Sequence, residues 1–211
     1  IWALTGSKTQ GLNFSMSLFA DLASALIGLN LEVEGEHHLW SQRPAVFIFN
    51  HQSQADVVII ARLLRRDIAA VGKKEIARVP VLGRIMQFAG TVLIDRSNPQ
   101  KAIESLNELV RTSKVEGKSV AIAPEGTRTV SKHLAPFKKG AFHLAMKAGV
   151  PIVPIVIRNA LDVSPKGDML MHPATVAVEV LPPIDTNDWQ ESELEMHIAD
   201  IRQQFQAVLD E

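Results

Sequence analysis

Cysteine is absent from this chain of 211 residues. No disulfide framework, thiolate nucleophile or cysteine metal site can be built from it, and a reducing compartment is compatible with that absence. Metal-site spacing is missing as well. His133, His143 and His172 have no His, Asp or Glu neighbours at ligand intervals, so no catalytic metal is expected. Ser53 lacks a Gly-x-Ser-x-Gly elbow. No aromatic-rich basic stretch suggests nucleic acid as a partner. Repeats, low-complexity tracts and a second-domain linker are also missing. What is present is ordinary for a folded protein: 46% hydrophobic and 21% charged residues. The length suits one domain, or one domain with a short appendage. An opening Ile1 in place of methionine is compatible with a piece of a longer precursor.

The net charge of −1 conceals a division. Between Ala61 and Val150 there are 17 Lys and Arg against 7 Asp and Glu. The remainder carries 5 against 16. Such blocks commonly coat solvated faces, but a basic middle also attracts an anionic ligand or an anionic membrane surface.

From Leu12 to Asn30 the only charge is Asp21. Asn13, Ser17, Asp21, Ser24 and Gly28 fall in one narrow stripe at helical spacing, and the rest is apolar. A helix of this kind has a wide apolar surface to bury, in the protein core or in a lipid interface. It is barely long enough to span a bilayer, so an interfacial or packed helix is expected. It lacks the basic leader and cleavage site of a signal peptide. The expected organisation is a membrane-associating helix over residues 1–30 and a globular domain over residues 31–211.

Within that domain apolar runs predict strands at Ala45–Phe49, Ile68–Val71, Thr91–Ile94, Ser119–Ala123 and Ile152–Ile157, with a further candidate at Thr175–Val180. Helical patterns lie at Asp56–Arg66, Val81–Phe88, Pro99–Val115 and Phe137–Ala148. From Trp189 onward Leu194, Ile198, Ile201, Phe205 and Val208 predict a closing amphipathic helix. Strands alternating with helices imply an α/β domain with a largely parallel central sheet flanked by helices.

Four clusters carry candidate chemistry. Asn50-His51 follows a strand, and Asp56 stands five positions on. A histidine base is most effective when a carboxylate holds its other ring nitrogen. Residues five apart on a helix diverge by about 140°. Pairing therefore requires His51 in the turn before the helix and Asp56 in its first turn. A turn histidine beside a capping aspartate is the plainer alternative. Second, Pro124-Glu125-Gly126-Thr127-Arg128 follows another strand. Gly126 lets backbone approach a ligand, Arg128 offers a forked donor to a phosphate, and Glu125 suits a hydroxyl or the arginine. An ordinary turn with a surface ion pair would use the same residues. Third, Lys73-Lys74-Glu75, then Pro80, Gly83 and Ile94-Asp95-Arg96, offer cations to a phosphate, or else a solvated patch. Fourth, Val150-Pro151-Ile152-Val153-Pro154 reads as a rigid strand beside a site.

Taken together and in this order, the clusters resemble the glycerolipid acyltransferase family, specifically lysophosphatidic acid acyltransferases. The likeness covers roughly Leu31 to Pro182. One departure is Ala123, where the family usually has an aromatic residue. The resemblance implies transfer of a fatty acyl group from a thioester of coenzyme A or acyl carrier protein to the hydroxyl of 1-acylglycerol 3-phosphate. It implies no further cofactor. His51, oriented by Asp56, would be the general base. Arg128, Lys73, Lys74 and Arg96 would hold the acceptor phosphate, and Glu125, Gly126 and Thr127 would shape that subsite. The implied location is a membrane surface, peripheral or monotopic on the cytoplasmic face. The alternatives are acylation of glycerol 3-phosphate or another lysolipid, a serine lipid esterase using Ser53 or another serine, and a non-catalytic lipid-binding protein.

Overall fold

A computed structural model describes residues 6–74, 91–94, 99–129, 133–165 and 170–211. The expected helix at Val81–Phe88 and the candidates Glu75, Pro80, Gly83, Asp95 and Arg96 lie outside the described residues, as does the side chain of Lys73. Chain order gives α1 (Lys8–Ile27), β1 (Leu29–Glu34), α2 (His38–Ser41), β2 (Val46–Phe49), α3 (Asp56–Leu64), β3 (Ile68–Lys73) and β4 (Val92–Ile94). It continues with α4 (Pro99–Glu116), β5 (Ser119–Ile122), α5 (Gly140–Ala148), β6 (Ile152–Ile157), β7 (Ala174–Val180) and α6 (Leu194–Asp210).

The strands form one sheet in the order β1-β7-β6-β2-β5-β3-β4. Among the described pairings between these strands only β6–β7 is antiparallel. β1 and β7 thus run opposite to the other five, and the sheet is largely parallel, as the alternation of strands and helices implies. Strands covered on both faces read as continuous apolar runs. In β6 all six residues are buried. Their side chains alternate between two cores: Ile152 and Val156 face α5, α6 and Leu109 of α4, whereas Val153, Ile155 and Ile157 face α3. The closing helix buries Leu194, Ile198, Ile201, Phe205 and Val208.

β1 falls partly inside the segment expected to be helical. Gly28 ends α1 in the left-handed region at φ 76°, and Leu29 enters the sheet beside Ala174. Glycine takes that conformation at no steric cost.

The orientation of α1 inverts the usual pattern. Its stripe of Asn13, Ser17, Asp21 and Ser24 faces the protein. Asn13 and Asp21 bond to side chains around the end of α3, Ser17 bonds to the Arg65 carbonyl, and Ser24 is buried. Phe14, Leu18, Phe19, Leu22 and Leu26 point outward, with Leu26 88% exposed. Of the two burials open to this apolar surface, the protein core does not supply one. Among the described residues no helix is long and apolar enough to cross a membrane.

Candidate active site

Parallel strands carry their following loops to one edge, which in α/β sheets is where ligands bind. Here β2 delivers Asn50 and His51, the neighbouring β5 delivers Pro124 to Arg128, and β3 on its far side delivers Lys73 and Lys74.

Asn50 is buried and clips the end of β2 to β6. Its Nδ2 donates to the Ile157 carbonyl at 2.8 Å, and its Oδ1 accepts from the Ile157 N–H at 2.8 Å. His51 then sits in the turn ahead of α3, and Asp56 is the first residue of that helix. The His51 Nδ1 and Asp56 Oδ2 are 2.7 Å apart. The same oxygen accepts from the N–H groups of Gln52 at 2.9 Å and Ser53 at 3.0 Å. The Asp56 side chain is only 1% exposed, and that of His51 is 27% exposed. A carboxylate so placed also faces the positive end of the α3 dipole. An ionised carboxylate only accepts, so this pairing calls for the hydrogen on Nδ1, and in the neutral ring of that tautomer Nε2 keeps its lone pair.

The second loop closes around the histidine backbone. Glu125, from a position 74 residues away, accepts the His51 N–H on Oε1 at 2.9 Å. The Thr129 N–H donates to the His51 carbonyl at 2.8 Å. Glu125 Oε2 accepts from Thr129 Oγ1 at 2.7 Å and from the Ala135 N–H at 3.0 Å. Glu125 is therefore buried with both oxygens engaged by the protein. Glu125, for which a hydroxyl or the arginine was the expected partner, ties its loop to the backbone of His51.

Gly126 takes φ 73°, and a Cβ there would stand 2.9 Å from the Lys138 Nζ. Lys138 is anchored through its own N–H to the Pro124 carbonyl at 2.9 Å. Thr127 and Arg128 are exposed on the same loop. Lys74 follows β3 at the same edge of the sheet; Arg96 lies outside the described residues. Sequence reasoning missed Thr129 and Lys138, and it assigned Asn50 no task.

Ser53 is poorly placed as a nucleophile. Its hydroxyl is buried, donates to the Ser164 carbonyl at 3.1 Å and accepts from the Ala55 N–H at 3.1 Å. A polar hollow beside Arg43, Ser113 and Gly149 opens at the opposite edge of the sheet, away from the His51–Asp56 pair.

Comparison with known proteins supplies the rest. The acyltransferase family pattern matches residues 30–158. A 1-acyl-sn-glycerol-3-phosphate acyltransferase of Limnanthes alba is 36% identical over 173 residues, covering 82% of this chain and 61% of its own length. The protein of the same name from Escherichia coli (strain K12) is 36% identical over 199 residues, covering 92% and 79%. The crystal structure of the 1-acyl-sn-glycerophosphate acyltransferase from Thermotoga maritima shares the fold, with a TM-score of 0.75 at 23% identity, covering 93% of this chain and 79% of that one. The chain spans 56–61% of the length of the plant relatives it matches. Family pattern and sequence identity agree, and the chain belongs to the acyltransferase family.

Proposed function

We propose that this protein transfers a fatty acyl group from a thioester to the free hydroxyl of 1-acylglycerol 3-phosphate. The observation that carries the reading is the His51–Asp56 pair, with Nδ1 of the ring held at 2.7 Å and Nε2 left to take a proton. Nε2 would remove the hydroxyl proton as the oxygen attacks the thioester carbonyl. A tetrahedral oxyanion forms and collapses, the carbon–sulfur bond breaks, and the departing thiolate recovers the proton from His51. The lipid hydroxyl is itself the nucleophile, so no acyl-enzyme is required. General-base assistance of this kind contributes about 10²–10⁴ in rate.

Arg128, with Lys73, Lys74 and Arg96, would bind the acceptor phosphate, and Lys138 over Gly126 would add a further cation. Gly126 and Thr127 would border that subsite. The donor is a thioester of coenzyme A or of acyl carrier protein. The outward face of α1 would rest on the membrane, where acceptor and acyl chain reside, which makes the association peripheral or monotopic. The relatives' name, 1-acyl-sn-glycerol-3-phosphate acyltransferase, supports the choice of acceptor.

The test is thiol release from palmitoyl-coenzyme A and from palmitoyl-acyl carrier protein, with dispersed lysophosphatidate. The controls omit the acceptor or carry His51→Ala. Acceptor-dependent release from either donor, lost in the variant, is expected. Release without acceptor would point to a hydrolase. Normal release by a folded His51→Ala protein would remove the base assignment.

A further inference from the structure

A surface helix ordinarily buries its apolar stripe and leaves its polar one in water. In α1 the polar stripe is the docking face, and its partners are specific. Asp21 Oδ1 pairs with Arg65 Nη2 at 2.9 Å and with Arg62 Nη1. Ser17 donates to the Arg65 carbonyl at 3.2 Å. Asn13 gives Nδ2 to Asp67 Oδ1 at 2.8 Å and takes the Asp67 N–H on its own Oδ1 at 2.9 Å. Every one of these partners lies in the last turn of α3 or just beyond it. That exit is held in an unusual conformation, with Arg65 at φ 55° and Asp67 at φ 54°. Positive φ is uncommon for residues other than glycine.

The other end of α3 is Asp56. A helix of nine residues is about 13 Å long and behaves as a short rod. The chain thus joins an outward apolar face, through a polar latch, to the carboxylate that orients His51. We propose that Asp21, gripped by Arg62 and Arg65, is a positioning residue that sets how the His51–Asp56 pair stands over a lipid surface bearing α1. The inference rests on the reading that α1 lies on a membrane. Charge and dielectric support it. The three side chains are about two-fifths exposed, and ion pairs at that exposure are weak in water. Lipid against the outward face lowers the dielectric beside the helix that carries Asp21 and strengthens their attraction. On this proposal the latch holds more firmly than in water when it is on a bilayer, where orientation matters for catalysis.

The experiment compares Asp21→Ala, Asp21→Asn and Asp21→Glu with the parent protein on two substrate systems. One is lysophosphatidate in phosphatidylglycerol–phosphatidylcholine vesicles with palmitoyl-coenzyme A. The other is a monomeric pair, hexanoyl lysophosphatidate and octanoyl-coenzyme A. For Asp21→Ala and Asp21→Asn, kcat at saturating vesicles should fall about tenfold, less than the roughly 10²-fold that a full misplacement of reacting groups carries. Vesicle co-sedimentation and turnover of the monomeric pair should be unchanged, and Asp21→Glu should recover most of the loss. Equal losses on both systems would overturn the proposal in favour of a merely structural contact, and unchanged vesicle turnover would overturn it outright. If Asp21→Ala does not fold, Asp21→Asn carries the same comparison. A Leu22→Asp/Leu26→Asp protein separates the two readings. Its loss of vesicle binding supports the membrane role of α1 whatever Asp21 does, and its normal binding would overturn the membrane reading and the proposal together.

Discussion

At the scale of single residues, the task of a buried carboxylate is set by which donors occupy its oxygens. Asp56 spends one oxygen on the ring of His51 and two N–H groups. Glu125 spends both of its oxygens on the loop around the same histidine. Glutamine in place of Glu125 would turn an NH₂ group toward N–H or O–H donors, and an unsatisfied buried donor costs about 1–3 kcal/mol. Glu125→Gln should therefore lower the melting temperature. It should also lower kcat by about 10²-fold through a displaced His51 while leaving the KM for lysophosphatidate nearly unchanged. Kinetics over a range of acceptor concentrations decide the matter: a rise confined to KM would return Glu125 to the substrate subsite. Arg128→Ala should show that opposite pattern, with KM raised and kcat retained. The contact between the histidine and the carboxylate was legible because a spacing of five restricts how the chain can form it, with His51 in the turn and Asp56 in the first turn of the helix. The engagement of Glu125 was not, since its donors come from residues 51, 129 and 135. Adjacency of β2 and β5 brings residue 51 to the Glu125 loop.

At the scale of elements, periodicity revealed which segments are regular but not which way each one faces. The stripe in α1 is plain in the sequence. The face it turns to the protein depends on Arg62, Arg65 and Asp67, which stand 41 to 54 residues away. β1 was hidden for a local reason: apolar Leu29 continues the helical run, and only the left-handed Gly28 breaks it. The reversed direction of β7 was equally silent, because alternation along a strand does not encode its polarity. Once formed, the β1–β7 edge depends on one close approach. A Cβ on Gly35 would stand 2.2 Å from the Val180 carbonyl oxygen, and Gly35 has φ 68°. Left-handed backbone costs a non-glycine residue about 1–2 kcal/mol, and backbone overlap adds to that. Gly117 has φ 63° with open space around it. Thermal unfolding should therefore show Gly35→Ala losing more stability than Gly117→Ala, with a gap of about 1–3 kcal/mol from the overlap. Equal losses would mean that the edge yields without cost.

At the scale of the whole molecule, the charge division along the chain becomes a division across the sheet. The basic stretch from Ala61 to Val150 supplies β3, β4, β5, α4 and α5, which include the β5-β3-β4 half of the sheet. The acidic remainder supplies β1 and β7 at the opposite edge, together with α6. An anionic bilayer would attract one half and repel the other, and each Lys or Arg near such a surface contributes about 1 kcal/mol. The outward apolar face of α1 adds attraction that does not depend on salt. The two contributions separate by ionic strength, since screening reaches about 10 Å at 0.1 M and 3 Å at 1 M. Turnover on phosphatidylglycerol vesicles should fall about tenfold as salt rises from 0.05 to 0.5 M, through a rising apparent KM. Turnover on phosphatidylcholine vesicles should change little. A matched decline on both lipids would assign the salt effect to binding of the substrate phosphate, leaving α1 as the sole attachment. A decline on the anionic vesicles alone would mean that the basic half of the sheet faces the membrane and turns the His51 edge toward its acceptor.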